Sequence, residues 1–409
     1  MEKVLIVGGG AAGMMASVFA AERGYEVHVF EKNEKLGKKV YITGKGRYNV
    51  TNACEDVEEL IHAVVSNPKF LYSAFYGFTN QQVMGFFEES GVPLKVERGN
   101  RVFPVSDHSS DVIRGLENRM KKAGVKVHLR TEVSKICTEN GCICGIELSD
   151  GKKISADRVL IATGGLSYPS TGSTGDGYRF ARETGHSLVE PKPSLVPLMA
   201  KEAYISEMQG LSLRNITLSV FQGKKCIYQE FGEMMFTHAG VTGPLVLTAS
   251  AYIGKKLESC ELMAFIDLKP ALSKEQLDQR ILREFEAGKN KQFKNVIGTL
   301  YPTSMRSIII ELSEINPEKP VHDITKEERE RILNLTKAFP FTLTGMGEFK
   351  EAIITRGGVS VKEIDPSTME SKKVKGLYFI GEVLDLDAVT GGFNLQIAWS
   401  TAWLAAQSV

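Results

Sequence analysis

Three features of the sequence predict an α/β protein whose nucleotide-binding domain is interrupted by an insert. A glycine-rich turn joins a short apolar strand to an apolar helix near the N-terminus. The turn dipeptides Asn140-Gly141 and Asp150-Gly151 mark an antiparallel meander ahead of another buried strand. The opening texture returns only after residue 376, with a β-rich and then a helical stretch in between.

The elements follow in order. Residues 4–7 are an unbroken apolar run, read as a buried strand. Residues 13–22 read as a helix stopped by Gly24 just past its end. Residues 27–30 form a second strand that ends at Glu31. Residues 4–21 carry no charge, but the glycines within them fit a strand, turn and helix better than a signal or membrane segment. Residues 32–52 lack periodicity and read as loop; 57–90 read as helical, and 111–123 as an amphipathic helix before Gly124. Val125, Val127 and Leu129 alternate with polar residues as a strand does. The two turn dipeptides separate apolar runs at 133–137, 142–148 and Ile154, and 159–162 is a buried strand leading into Thr163-Gly164-Gly165. After Pro191-Lys192-Pro193, alternation at Ile216, Leu218 and Val220 and at Leu262, Ala264, Ile266 and Leu268 predicts strands. Ser273-x-x-Gln276 and Thr325-x-x-Glu328 fit capping boxes of helices. Residues 377–380 are a last buried strand, and Gly391-Gly392 opens a final helix. The expected domains are 1–190 with 346–409, an inserted β-barrel at 191–268 and an inserted helical domain at 269–345.

Composition narrows the function. With 50 Lys+Arg against 49 Asp+Glu, the net charge of +1 offers no global field for nucleic acid or anionic lipid. The expected partner is a small-molecule substrate, with no nucleic acid and no membrane. The six cysteines include no Cys-x-x-Cys pair, so the reading is reduced thiols, a cytoplasmic protein and no disulfide reductase. No His/Cys/Asp cluster has metal-ligand spacing, and the expected metal content is none.

Gly8-x-Gly10-x-x-Gly13 lies between its strand and helix. The first glycine serves the tight turn, the second lets a pyrophosphate approach the backbone, and the third lets helix and strand pack closely. The helix N-terminus faces the phosphates with unpaired N–H groups. Glu31 is placed to accept both hydroxyls of a ribose, and repels the extra phosphate of NADP. The pattern alone does not separate FAD from NAD. A single fingerprint, the meander before Ala162-Thr163-Gly164-Gly165, and a second helix N-terminus after Gly381-Glu382 favour FAD. At that second helix the positive dipole end suits the negative charge that gathers on a reduced flavin.

Longer stretches carry a specific resemblance: Thr43-Gly44-Lys45-Gly46-Arg47-Tyr48-Asn49-Val50-Thr51-Asn52, Arg101-Val102-Phe103-Pro104, Gly164-Gly165-Leu166-Ser167-Tyr168-Pro169, Gly172-Ser173-Thr174-Gly175-Asp176-Gly177, Phe236-Thr237-His238-Ala239-Gly240 and Gly391-Gly392-Phe393-Asn394-Leu395-Gln396. The sequence resembles the family of FAD-binding flavoproteins that includes aminoacetone oxidase and a bile-acid 3-dehydro-Δ4,6-reductase. That resemblance implies an α/β, Rossmann-like FAD-binding domain of the glutathione-reductase type, with an inserted β-barrel and small helical domain. It implies that Gly8, Gly10 and Gly13 hold the pyrophosphate, with Ala11 and Ala12 also in the cofactor set, Glu31 the adenosine ribose, and the Val133 backbone the adenine. Gly46, Arg47 and Asn49 would sit near the flavin, Glu382 near the ribityl chain or pyrophosphate, and Gly392, Phe393, Asn394 and Leu395 at the isoalloxazine. Lys32, Lys39, Thr163, Gly164, Gly165, Gly381 and Asp387 complete the implied cofactor set. Three positions depart from the family's pattern. Tyr48 stands where Cys is frequent, Phe393 where Tyr is frequent, and Arg356 where a small residue is common.

His238, Tyr168 and Arg356 are the catalytic candidates, each polar and beside glycines. His238 is the proton-donor candidate because histidine titrates near neutrality. The chemistry belongs to the cofactor: the expected activity is an FAD-dependent oxidoreductase, either an NAD(P)H-dependent reductase or amine oxidase-like. It would move a hydride between flavin N5 and a small organic or steroid-like substrate, with the insert expected to roof the flavin. NAD(P)H is the transient donor under the reductase reading. The alternatives are an FAD-dependent RNA-modifying protein and a flavin sensor without turnover.

Overall fold

The computed structural model describes residues 2–42 and 46–409. The chain forms two compact units, Met1–Ser194 with Glu348–Val409, and Leu195–Gly347.

The first unit is built on a parallel sheet. Lys3–Val7 (β1) lies between Arg158–Ile161 and Glu26–Phe30 (β2); Leu377–Phe379 and Lys126–His128 form the two edges. Val4, Leu5, Ile6, Val159, Leu160 and Ile161 are fully buried, as parallel strands covered on both faces must be. Helix Ala11–Glu22 (α1) packs against the C-terminal helix Phe393–Ser408. Neither helix carries a charge before its last residues, so both are apolar enough to be buried nearly all round. The chain runs from β1 to β2 on one side and reaches Arg158–Ile161 on the other. A crevice therefore lies at the carboxyl end of β1, where open α/β sheets bind ligands.

A three-stranded antiparallel sheet, Val133–Glu139, Cys142–Leu148 and Lys153–Ser155, forms the meander. Asn140 and Gly141 both have positive φ, 49° and 75°, as a type I′ hairpin turn requires. Two readings of this unit need correction. Residues 32–52, expected as loop, contain the short helix Lys38–Ile42, and residues 57–90, expected as helical, contain the strand Val64–Ser66. That strand pairs with Asp387–Ala388, more than 300 positions away in sequence. Elements this short carry no period for sequence to register.

The second unit holds a closed six-stranded barrel of Leu198–Ala200, Gly240–Thr242, Lys225–Phe236, Ser212–Gln222, Leu262–Asp267 and Phe339–Met346. Its interior includes Leu218, Val220, Ala264, Ile266, Phe339, Phe341 and Leu343, all fully buried. Helices Lys274–Ala287, Thr303–Ser313 and Lys326–Lys337 are an excursion between two barrel strands. Both predicted capping boxes are formed, with reciprocal bonds at Ser273/Gln276 and Thr325/Glu328. The last strand, Phe339–Met346, falls within the stretch 269–345 expected to be helical. Its alternation of Phe339, Phe341 and Leu343 closes the barrel, so barrel and helices share one unit. At the other boundary, Leu188–Ser194 pairs with Ile354–Val359 inside the first unit.

Candidate functional site

The glycine turn at the end of β1 is held by close approach. Gly8 has φ +106°, and a Cβ there would meet the Ala162 carbonyl oxygen at 2.5 Å; one at Gly13 would meet the Gly8 oxygen at 1.9 Å. At Gly10, the N-cap of α1, a Cβ would meet nothing within 4 Å. The fold thus forces the first and third glycines and leaves open ground at the second, where α1 presents its unpaired first-turn N–H groups. Ala11 and Ala12 form that first turn. This is the cradle a dinucleotide pyrophosphate fits.

Glu31 follows β2 and is 8 % exposed. One carboxylate oxygen accepts the Gly9 amide at 2.8 Å; the other accepts the Asn33 amide at 2.9 Å and its side chain at 2.7 Å. An ionised carboxylate accepts about four bonds, so capacity remains for a ribose hydroxyl. The anchoring role of Asn33 was not read from the sequence. Lys32 turns away to Asp176 at 2.5 Å and Thr174 at 2.6 Å. Val133 opens the meander and is buried.

Lys39 and Glu382, implied separately by the resemblance, meet as an ion pair at 2.7 Å. Ser167 donates to Glu382 at 3.0 Å and accepts from Lys39 at 2.5 Å. The Thr355 amide donates to the same carboxylate at 2.9 Å. The Thr355 hydroxyl in turn accepts the amides of Leu166 and Ser167. Ser167 and Thr355 were missed as site residues, since nothing local in the sequence links them to Glu382. Gly164 has φ +71° and lies beside this cluster. Gly165 is buried against Thr355, so its part is packing. The Thr163 hydroxyl is buried without a partner.

The second helix N-terminus is formed as expected. Gly392, φ +101°, is the N-cap of Phe393–Ser408; a Cβ there would lie 2.4 Å from the Thr51 backbone. Gly391 to Leu395 are half-buried, whereas the helix behind them is closed off. Asn394 braces the preceding turn, accepting the Ala388 amide at 2.9 Å and donating to the Ala388 and Val389 carbonyls. The Gly381 amide is held by Thr401 at 3.0 Å.

Two implied cofactor residues, Asp387 and Arg47, have close protein surroundings. Asp387 is fully buried and neither carboxylate oxygen has a hydrogen-bond partner. Burial pushes its carboxyl up, against the Arg356 charge. Its strand pairs with Val64–Ser66. Arg47 binds Glu97 at 2.5 Å and Asp107 at 2.6 Å, with its guanidinium 4.3 Å over the Phe103 ring. These hydrogen bonds hold the Glu97 carboxyl below its usual range. Arg47 therefore ties the 46–52 segment to the sheet beside it. Asn49 accepts the Val102 amide at 3.2 Å, and Gly46 has φ +83°. The opening Thr43-Gly44-Lys45 of this motif lies outside the described residues. Tyr48 is fully buried against Trp399, has φ +61°, and its hydroxyl has no partner; burial pushes its pKa far up.

The catalytic candidates are not brought together as one described cluster. Tyr168 (φ +52°) caps a single helical turn and is half-buried, which raises its pKa. Arg356 lies on Ile354–Val359, opposite Lys192, in the same unit. His238 is exposed in a barrel loop of the other unit, between Phe236 and Gly240.

The comparisons agree with this architecture. A family model described as the HI0933-like protein Rossmann domain matches residues 2–408. The 3-dehydro-bile acid delta(4,6)-reductase of Clostridium scindens is 30 % identical over 413 residues, covering 100 % of this chain and 99 % of the relative. The ribosomal RNA dihydrouridine synthase of Haemophilus influenzae is 31 % identical over 409 residues, covering 99 % and 98 %. The structure of 3-ketosteroid delta1-dehydrogenase from Sterolibacterium denitrificans matches with a TM-score of 0.54 at 13 % identity, covering 100 % of this chain and 99 % of that one; it speaks to the fold. The expectation of no nucleic-acid partner finds no support among relatives bearing ribosomal RNA in their names. Among the described residues, no helix is long and apolar enough to cross a membrane.

Proposed function

The chain belongs to the HI0933-like FAD-binding Rossmann family of FAD-dependent oxidoreductases, and on that premise we propose that it reduces a carbon–carbon double bond conjugated to a carbonyl. One observation carries this reading. Two relatives spanning nearly the whole chain have names that describe the same reaction type on different molecules. A 3-dehydro-Δ4,6 bile acid is a conjugated dienone, and forming dihydrouridine saturates the uracil double bond beside its carbonyl.

FAD, when bound, supplies two-electron transfer at its N5. The remaining work falls to the chain. Gly8, Gly10 and Gly13 admit the pyrophosphate to the α1 N-terminus, and Glu31 accepts a ribose hydroxyl. The half-buried Lys39–Glu382 pair, oriented by Ser167 and Thr355, would hold the ribityl or pyrophosphate part of the cofactor. The first-turn amides of Phe393, Asn394 and Leu395 would stabilise the negative charge that a reduced flavin carries. NAD(P)H is the proposed electron donor. A substrate carbonyl polarised by a cation suits Arg356, and Tyr168 and His238 remain the proton-donor candidates.

Near-zero net charge favours a small substrate over RNA. The relatives from Haemophilus influenzae and Escherichia coli favour a uridine in ribosomal RNA as a second reading. The test is anaerobic: NADH, then NADPH, is added to the yellow protein while the flavin absorbance is followed. The bleached protein is then mixed with a steroid dienone or a uridine-rich transcript. The proposal expects bleaching and then recolouring by one of the two acceptors, with the product two hydrogens heavier. Bleaching followed by recolouring only with oxygen would refute it. A protein bleached by primary amines and not by either nucleotide would point to an oxidase instead.

A further inference from the structure

Three of the six cysteines share the solvent face of the meander sheet. Cys142 and Cys144 lie on Cys142–Leu148 and are exposed; Cys137 lies on Val133–Glu139 and is half-buried. The buried side chains of these strands, Ile136, Ile143 and Ile146, point the other way. The pairing register breaks at this place. Cys137 opposes Gly145, and the next residue, Thr138, opposes Ile143. One strand therefore carries an extra residue, Cys144, inserted as a β-bulge. Gly145 has φ +146°, and a Cβ on it would lie 2.0 Å from the Ile154 carbonyl oxygen, so the bulge is fixed in place. The bulge turns Cys144 outward, onto the face of Cys137 and across the ladder from it. At the bulge two residues, Cys144 and Gly145, oppose the single Cys137, and a disulfide needs Cβ atoms about 3.5–4.5 Å apart. A small backbone shift at the bulge brings the Cβ atoms into that range, and rotation about χ1 then sets the two sulfurs.

We propose that Cys137 and Cys144 form a reversible cross-strand disulfide by exchange with a small-molecule disulfide such as oxidised glutathione. The exposed Cys144 thiolate attacks one sulfur of the oxidant and releases one glutathione thiolate, which takes up a proton. Cys137 then gives up its proton to solvent, attacks the Cys144 sulfur of the mixed disulfide, and releases the second glutathione. Two protein thiols are oxidised and one disulfide is reduced to two thiols. The order follows from exposure, because only Cys144 of the pair is open to a bulky oxidant. Burial, with the neighbouring Cys144 charge, also holds the Cys137 thiol above its ordinary value, which suits the resolving role. Cys142 shares the face but is two positions along the same strand and has Glu139 opposite it.

The test uses FAD-loaded full-length protein, reduced, desalted and incubated with oxidised glutathione, then alkylated and digested without reductant. The expected result is loss of two alkylatable thiols and a peptide linked through Cys137 and Cys144. Cys137→Ser is expected to stop at glutathione on Cys144, and Cys142→Ser to form the link as wild type does. A glutathione adduct persisting on wild-type Cys144, a link through Cys142, or two thiols that stay fully alkylatable would overturn the proposal. Circular dichroism of each variant separates misfolding from lost chemistry.

Discussion

A Cβ built on Gly10 meets no atom within 4 Å, whereas one built on Gly13 lies 1.9 Å from the Gly8 carbonyl oxygen. Alanine at these two positions should therefore act on different states of the protein. Gly10 has φ −82° and ψ −168°, a conformation alanine adopts without strain. Loss of glycine at the N-cap costs about 1 kcal/mol, and the stiffer unfolded chain returns about 0.4–1 kcal/mol. The FAD-free Gly10→Ala protein should thus keep its stability within about 1 kcal/mol. The added methyl stands on the ground assigned to the pyrophosphate. Pushing the phosphates off about two backbone N–H bonds, at about 1.5 kcal/mol each, weakens FAD binding by about 100-fold. Gly13→Ala should instead destabilise the protein with or without FAD, by about 3 kcal/mol or more, because helix and loop must separate. Deflavinated protein is titrated with FAD by calorimetry, and the same samples are unfolded in urea. A Gly10→Ala variant that binds FAD like wild type would refute the placement of the pyrophosphate. A large loss of its FAD-free stability would refute the claim that the ground at Gly10 is open.

Other perturbations follow from the same geometry. Tyr48→Phe removes a buried hydroxyl with no partner, so the FAD-free protein should gain about 1 kcal/mol in urea unfolding; a loss would show that the hydroxyl is bonded. Glu382→Ala strips Lys39, Ser167 and the Thr355 amide of their shared acceptor, and FAD affinity should fall about tenfold, the worth of one charge-assisted bond. Unchanged affinity by fluorescence titration would remove Glu382 from the cofactor site. His186 is buried between the Thr184 and Ser371 hydroxyls, and burial lowers its pKa from the ordinary 6.5. The unfolded chain therefore binds a proton that the folded one resists. Stability should be flat above that value and decline as pH falls through 6.5 toward the lower folded value. His186→Gln should flatten that part of the urea-midpoint profile, and an unchanged slope would count against the assignment.

Much of this was legible in the sequence because local chemistry and tertiary structure agree there. Gly8 and Gly13 of the fingerprint sit where a Cβ would collide, the Asn140-Gly141 turn has both residues at positive φ, and both capping boxes close reciprocally. What stayed hidden is what two distant segments make together. Val64–Ser66 is a strand only because Asp387–Ala388 pairs with it. Phe339–Met346 joins the barrel although the sequence just before it is helical. The site shows the same limit. Glycine positions were readable, but the Glu382 cluster draws on residues 39, 167 and 355, and no local pattern announces such a meeting. Arg47 was assigned to the flavin by resemblance, while its acidic partners Glu97 and Asp107 lie on separate stretches that sequence alone does not join.

The order of segments also sets the order of assembly during synthesis. The central sheet needs Leu377–Phe379 at its edge, and α1 needs the C-terminal helix against it, so the first strands made are the last to be covered. Between Ile161 and Leu377 lie about 200 residues, which at about 5–20 residues per second is roughly 10–40 s of translation. Leu195–Gly347 is continuous, has its own apolar core, and leaves the ribosome complete before that wait ends. A nascent chain at this stage displays an uncovered parallel sheet edge. It is the species that a chaperone would meet, and a truncation before residue 377 would make that exposure permanent.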